Sequence, residues 1–264
     1  MSWMIDAHIH LDWYKREEQL QILDDLRQNN FSGLIAVSSD LESCRKVWDL
    51  SSRNEHVHPA FGWHPEQSIP GKAELDEIEA LIRRHHHDLV AIGEIGLPYY
   101  KRKKDAHFNL QPYLEILERF ILLAKELDLP VVLHAIYEDA ELVCDLLEKH
   151  HIKIAHFHWF KGSASTLQRM MKNKYKISIT PDCLYENEIQ EIIRQYPLEL
   201  LMVETDGPWQ FEGPFRGKMT HPVMIKQSIK MISEIKGKPL NCVKNLIVNT
   251  TKSFYNIRGK RLIK

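Results

Sequence analysis

The residues with the clearest metal chemistry lie near the start of the chain, in the segment Asp6-Ala7-His8-Ile9-His10. Side chains two positions apart on an extended strand point to the same face, so the imidazoles of His8 and His10 can approach one ion. Histidine nitrogens are common ligands of Zn²⁺ and related cations. The segment therefore indicates one edge of a metal site, with Asp6 on the same face.

Ligand-type side chains also end several later apolar runs: Glu94, His134, His156, His158, Glu204 and Asp206. A buried carboxylate such as Glu94 or Asp206 costs several kcal/mol unless a cation accompanies it. A single histidine at a strand end is more often hydrogen-bonded than bound to a metal. The combination of histidines and acids at several strand ends is a more specific sign of a metal site. About two divalent ions are needed to offset the negative charge of its carboxylates and the cost of their desolvation.

The rest of the chain repeats one unit, a short apolar run followed by an amphipathic stretch. The apolar runs cover residues 3–7, 34–38, 57–61, 90–95, 130–133, 152–157, 175–179 and 200–203. Helices are predicted over residues 15–29, 72–87, 108–128, 138–150, 164–173, 186–195 and 220–236, and residues 239–256 form a terminal helix or a pair of short helices. Strands that alternate with helices in this way predict a parallel sheet with crossover helices.

This alternation predicts an α/β protein in which residues 1–264 form a single-domain (β/α)₈ TIM barrel. The alternative is an open doubly wound sheet, which would more usually begin with a Gly-rich turn after its first strand. Here the first strand ends in His8 and His10 instead. TIM barrels carry their chemistry at the C-terminal ends of the strands, so the metal site is expected there.

Composition and charge narrow the class of protein. The chain has 35 basic and 36 acidic residues, so any nucleic acid or phosphate ligand must be held by a local site rather than by the field of the whole molecule. We expect a soluble, cytoplasmic protein, because no apolar run approaches the ~18 residues of a membrane span and no signal peptide is recognisable. The 4 cysteines show no metal-ligand spacing and are expected to be reduced. No obligate protein partner is indicated.

Over nearly its whole length the chain resembles the TatD-type metal-dependent hydrolases and deoxyribonucleases, a branch of the amidohydrolase-like TIM barrels. The motifs that carry the resemblance are D-x-H-x-H at residues 6–10, G-x-H-P at 62–65, G-E-I-G-L at 93–97, the fifth-strand histidine at 134, H-W-F-K-G-S at 158–163, which matches H-C-F-x-G-S in relatives apart from Trp159, and E-T-D-x-P at 204–208. Relatives usually continue G-E-I-G-L with Asp, where this chain has Pro98. We therefore expect the substrate pocket to differ from that of typical relatives.

The resemblance implies a site for two divalent ions, and Zn²⁺, Mg²⁺, Mn²⁺ and Co²⁺ all remain candidates. The implied ligands are His8, His10 and Asp206 for the first ion, His134 and His158 for the second, and Glu94 as the bridge between them. Three further polar residues are expected to orient these ligands: Asp6, His156 and Glu204. The H-C-F-x-G-S match favours His158 over His156 as the ligand.

Candidate substrate contacts come from the loops that follow the strands: His64, Lys101, Arg102, Trp209 and Arg216. Lys101 and Arg102 belong to a basic loop over residues 99–104, for which a solvated surface and a phosphate site are equally open. Trp209 and Arg216 either clamp a ligand or pack their own loop.

The expected activity is hydrolysis of phosphodiesters by an exonuclease-type deoxyribonuclease, so the expected partner is DNA or another phosphoester. Asp206 would be the general base for a water activated by two metal ions, and Glu94 would hold both ions. An alternative is hydrolysis of a small ester, amide or phosphoester, because the metal ligands do not separate phosphorus from carbonyl chemistry. A third hypothesis is a catalytically silent metal-binding protein, which the complete set of ligand positions disfavours.

Overall fold

The protein is described by a computed structural model that covers residues 3–257. Its strands are β1 (Met4–Ile9), β2 (Phe31–Val37), β3 (Val57–Phe61), β4 (Ala91–Gly96), β5 (Val131–His134), β6 (Ala155–Phe157), β7 (Lys176–Ile179) and β8 (Leu201–Val203). They form one 8-stranded sheet in which each strand pairs in parallel with the next along the chain. The strands are short and buried on both faces, which suits a parallel sheet covered by helices.

Backbone hydrogen bonds between the first strand and the segment after the last one close the sheet. The amide of Asp206 donates to the carbonyl of His8 at 3.0 Å, and the amide of His10 donates to the carbonyl of Gly207 at 2.8 Å. The predicted (β/α)₈ TIM barrel is therefore confirmed, and the open doubly wound sheet is excluded. The extent of the domain over all of residues 1–264 stays a prediction.

The helices are α1 (Arg16–Gln28), α2 (Leu41–Arg53), α3 (Lys72–His85), α4 (Tyr99–Lys104), α5 (Gln111–Leu127), α6 (Glu138–Lys149), α7 (Ala164–Asn173), α8 (Asn187–Gln195), α9 (Ile225–Lys236) and α10 (Leu240–Phe254). Each long helix buries one apolar face, as in α3, where Leu75, Ile78 and Ile82 are buried. None of the helices in the described residues combines the length and the apolar character needed to cross a membrane.

Several predicted elements need correction. Helix α2 was not predicted, although Asp40 accepts a hydrogen bond from the Ser43 amide at 2.8 Å and begins this helix as a typical N-cap residue. Residues 99–104, expected to be a loop, form the short helix α4. The strand predicted over residues 152–157 is only β6, because Ile154 lies half-exposed before it. Of the two alternatives for residues 239–256, the single terminal helix is the one observed, over residues 240–254.

Close packing between β3 and β4 leads to a prediction about stability. A Cβ atom at Gly62 would lie 2.5 Å from the carbonyl oxygen of Glu94, a backbone atom that cannot move freely. We expect Gly62→Ala to lower the free energy of unfolding of the metal-free protein by about 1–3 kcal/mol, measured by chemical denaturation. The matched control is Gly71→Ala, where a Cβ would meet nothing within 4 Å. Equal effects of the two substitutions would contradict the packing argument.

Candidate active site

The carboxylate of Glu94 lies at the centre of the site, and each of its oxygens faces a different group of side chains. Oxygen Oε2 lies 3.2 Å from His8 Nε2 and 3.0 Å from His10 Nε2. On the same side, Asp206 Oδ1 lies 3.3 Å from His8 Nε2 and 3.6 Å from His10 Nε2. The residues implied for the first ion therefore lie together around one oxygen of Glu94.

The other oxygen of Glu94 faces side chains from β3, β5 and β6. Oxygen Oε1 lies 2.9 Å from His134 Nδ1 and 2.9 Å from His158 Nε2. His64 Nε2 is 3.4 Å from the same oxygen. The residues implied for the second ion therefore meet on the opposite side of the carboxylate from His8 and His10.

Local backbone features place these side chains. Gly93 precedes Glu94 on β4, and a Cβ at this position would lie 2.6 Å from Val132 Cβ on β5, so glycine allows the two strands to approach. Asp206 follows β8 with a left-handed φ of 48°, which is uncommon for a residue other than glycine. The hydrogen bond from the Asp206 amide to the His8 carbonyl holds this segment beside β1. The Asp206 carboxylate lies on the same side, 3.3 Å from His8 Nε2.

Asp6 connects β1 to the segment that follows β8. Its carboxylate accepts hydrogen bonds from the Thr205 amide at 3.0 Å, the Thr205 hydroxyl at 2.5 Å and the His8 amide at 3.3 Å. Burial raises the pKa of Asp6 to about 7, although these hydrogen bonds act in the opposite direction. Both of its oxygens are therefore engaged with the residue next to Asp206 and with the backbone of His8.

His156 lies on the same strand as His158 but belongs to a different set of contacts. Its Nδ1 is 2.7 Å from the Tyr255 hydroxyl, and its Nε2 is 2.5 Å from the Ser178 hydroxyl. Burial lowers the pKa of His156 to about 3, so the ring is neutral at physiological pH. Of the two histidines, His158 is the one that reaches Glu94.

Glu204 connects the His156 contacts to His158. It accepts hydrogen bonds from the Ser178 hydroxyl at 2.6 Å and from the Trp159 amide at 2.7 Å. Its Oε1 also lies 3.5 Å from His158 Nδ1, the ring nitrogen opposite the one that faces Glu94. A carboxylate behind a ligand histidine is the usual arrangement for orienting such a ring.

The unpaired polar atoms at the centre of the site fit a divalent cation. His8 Nε2, Glu94 Oε2 and Asp206 Oδ1 are buried without a hydrogen-bond partner among the described residues. Buried polar atoms normally have partners, and mixed imidazole and carboxylate donors suit Zn²⁺, Mn²⁺ or Co²⁺. Potential ligand atoms of His8, His10 and Glu94 lie within 4.8 Å of one another.

A cavity of about 830 Å³ opens onto several of these residues. Three of the predicted substrate contacts line it: His64, Lys101 and Trp209. Several further lining residues were not predicted as contacts, and four of them are Trp13, Glu66, Trp159 and Lys161. Each of these four lies within or close beside one of the sequence motifs, which is the signal that could have identified them.

Arg102 and Arg216 do not line this cavity, and their roles as substrate contacts stay predictions. The guanidinium of Arg102 pairs at 2.5 Å with the buried carboxylate of Asp139 on α6. Arg216 is exposed and pairs at 2.8 Å with Glu212 in its own loop. Each of the two cations is therefore paired with a carboxylate.

Comparisons with known proteins identify the family of this chain. The family model described as TatD related DNase matches residues 5–256. A protein of Haemophilus influenzae named as an uncharacterised metal-dependent hydrolase is 37% identical over 96% of this chain and 100% of its own length. The human protein named deoxyribonuclease TATDN3 is 29% identical over 89% of this chain and 88% of its own length.

Among solved structures, the TatD homologue YJJV from Escherichia coli superimposes with a TM-score of 0.85 over 97% of this chain and 98% of its own. Its sequence identity is 23%, so this likeness concerns the fold. The barrel, the ligand set at its strand ends and the relatives together define a metal-dependent hydrolase. The chain belongs to the TatD family.

The charge state of His8 leads to a prediction about metal uptake. Burial and His158 act against a proton on His8, but Glu94 and Asp206 outweigh them and raise the pKa of His8 to about 9 in the metal-free protein. A metal ligand must be neutral, so binding displaces this proton. We expect calorimetric titration with Zn²⁺ at about pH 7 to show release of about one proton or more.

The same proton gives the affinity its pH dependence. His8 is protonated below its raised pKa of about 9, and the pKa of His158 is raised as well, so the metal affinity should rise with pH as these rings lose their protons. Repeating the titration in buffers with different ionisation enthalpies separates proton release from the heat of binding. An affinity that is constant from about pH 6 to about pH 9 would contradict the assignment of His8 as a ligand.

Proposed function

We propose that this protein is a phosphodiesterase of the deoxyribonuclease type that removes nucleotides from a DNA end and uses two divalent ions. The observation that carries the proposal is the division of ligands between the two oxygens of Glu94. His8, His10 and Asp206 gather on one side, and His134 and His158 gather on the other. The family description and the name of the human relative support DNA as the substrate.

Bound divalent ions would supply Lewis-acid activation of a water and would neutralise charge on the phosphoryl oxygens. Asp206 is the base in this proposal, because its carboxylate lines the cavity beside His8 and His10. Burial opposes its ionisation, but the His8 ring, 3.3 Å away, and the neighbouring imidazoles lower the pKa of Asp206 below its ordinary value. Asp206 is therefore ionised at neutral pH and accepts a proton from the attacking water, which it then passes to the leaving oxygen.

His64 has a different role from the proposed ligands. Its Nδ1 accepts a hydrogen bond from the Glu66 amide at 3.1 Å, and burial lowers the pKa of His64 to about 3. A neutral ring whose Nδ1 accepts must carry its hydrogen on Nε2, the nitrogen that faces the site. His64 is therefore a hydrogen-bond donor toward the attacked phosphoryl group, and its Nε2 has no lone pair for a metal ion.

The cavity walls suit a nucleotide. Lys101 and Lys161 supply positive charge for a phosphate, and both line the cavity. Trp13 and Trp209 expose 50% and 59% of their surface. One face of the Trp13 ring stacks on His10 at a centroid distance of 4.0 Å, so a base would stack on the exposed part of these indoles. The Trp159 ring packs edge-to-face against Trp209 at a centroid distance of 5.6 Å and holds it beside the cavity.

A second candidate is a hydrolase of small phosphoesters. The net charge of −1 favours it, because a processive nuclease gains from an extended basic channel. Purified, metal-reconstituted protein should therefore be offered end-labelled single-stranded and duplex DNA, an RNA oligonucleotide, small phosphoesters and carboxylic esters, with and without EDTA. Stepwise, EDTA-sensitive shortening of DNA supports the nuclease. Hydrolysis of small phosphoesters alone identifies the second candidate, and hydrolysis of carboxylic esters alone rejects both.

Removing the proposed base tests the mechanism. We expect Asp206→Asn to lower kcat on the best substrate of this panel by at least about 100-fold, because the amide cannot accept the proton, while KM changes little. Asp49→Asn is the matched control, since Asp49 is exposed on α2 and pairs only with Arg53 in the structure described here. An Asp206→Asn protein with full metal content and a near-normal rate would rule out Asp206 as the base.

A further inference from the structure

Glu66 lies at the edge of the site, directly after the Gly62-Trp63-His64-Pro65 segment, and neither the sequence motifs nor the proposed mechanism gives it a role. Its carboxylate is mostly buried, and Oε1 lies 3.6 Å from Nε2 of His134. That nitrogen is buried without a hydrogen-bond partner among the described residues. Glu66 is therefore the carboxylate that faces the far side of the His134 ring.

The near side of the same ring faces the proposed ions. His134 Nδ1 lies 2.9 Å from Glu94 Oε1 and 3.3 Å from His158 Nε2. A ligand nitrogen must offer a lone pair, so a neutral His134 that binds through Nδ1 has to carry its hydrogen on Nε2. The acceptor in that direction is Glu66, and an acceptor behind a ligand histidine fixes both the tautomer and the orientation of the ring.

Glu66 also holds the first turn of α4 against the site. Its carboxylate accepts hydrogen bonds from the Tyr100 amide at 2.7 Å and from the Lys101 amide at 3.0 Å. Both oxygens of Glu66 therefore act as acceptors, Oε1 for the Tyr100 amide and Oε2 for the Lys101 amide. A separate hydrogen bond, from Lys101 Nζ to the Gln67 carbonyl at 2.8 Å, also connects α4 to the segment that contains Glu66, and it does not involve His134.

We propose that Glu66 is a positioning residue for His134: it keeps the hydrogen on Nε2, leaves Nδ1 for the second ion, and ties this ligand to the cavity wall that carries Lys101. The proposal rests on the two-ion site of the proposed function. Its test is metal binding, so its outcome is independent of which substrate the enzyme cleaves.

Titration calorimetry of the metal-free protein with Mn²⁺ or Zn²⁺ provides the test. His134→Ala identifies the binding step that belongs to the second ion. We expect Glu66→Ala to weaken that step by about 10–100-fold and to leave the other step within about 2-fold, which is the usual effect of losing an outer carboxylate. Glu66→Gln should recover part of the loss, because its amide oxygen can still accept from His134.

Lys101→Ala is the matched control. It removes the hydrogen bond from Lys101 Nζ to the Gln67 carbonyl and leaves the Glu66 carboxylate behind His134 in place. We expect it to bind both ions like the wild type. The proposal is overturned if Glu66→Ala binds metal like the wild type, or if Lys101→Ala weakens the same step equally, because the segment contact alone would then explain the effect.

The tautomer of His134 can also be read in the wild-type protein, which keeps the proposal testable if Glu66→Ala does not fold. Nitrogen-15 NMR of histidine-labelled protein loaded with Zn²⁺ distinguishes the two ring nitrogens by their coupling to the ring protons. We expect His134 to carry its hydrogen on Nε2. A hydrogen on Nδ1, with Nε2 free, would overturn the assignment.

Discussion

A buried carboxylate, Glu94, is the constraint on which the rest of the site depends. Its side chain has no exposure to solvent, so its charge has to be balanced inside the barrel or the group would have to become neutral. The surrounding imidazoles provide that balance in the metal-free protein and hold the pKa of Glu94 well below its usual range despite burial. In the proposed account, the same imidazoles, once deprotonated, would bind the divalent cations that then balance the charge of Glu94.

The barrel supplies the geometry that this balance needs. Parallel strands bring all their C-terminal ends to one mouth, so residues far apart in sequence converge on one carboxylate. Carboxylates outside this cluster then hold its members in place. Asp6 binds the Thr205 amide and so connects β1 to the segment after β8, and Glu204 lies behind His158. In the proposed account, Glu66 has the same role behind His134.

Much of this could be predicted from sequence because it depends on local patterns. The strand ends at His8 and Glu94 follow from apolar runs bounded by ligand-type residues, and the order of strands follows from the alternation with helices. What the sequence did not indicate depends mostly on contacts between distant segments. The pairing of Arg102 with Asp139 and the contact of Glu66 with His134 join residues 37 and 68 positions apart, and no local pattern encodes either contact. Helix α2 is different, because the N-cap residue Asp40 and the helical spacing of Cys44 and Val47 are local signals for it.

The central claim is that Glu94 bridges two ions, with His8, His10 and Asp206 on one side and His134 and His158 on the other. The most direct measurement is anomalous diffraction from crystals grown with Zn²⁺ or Mn²⁺, recorded on both sides of the metal absorption edge. The account predicts two anomalous peaks about 3.5–4 Å apart, each beside one oxygen of Glu94. A single peak, or two peaks of which neither contacts Glu94, would contradict it.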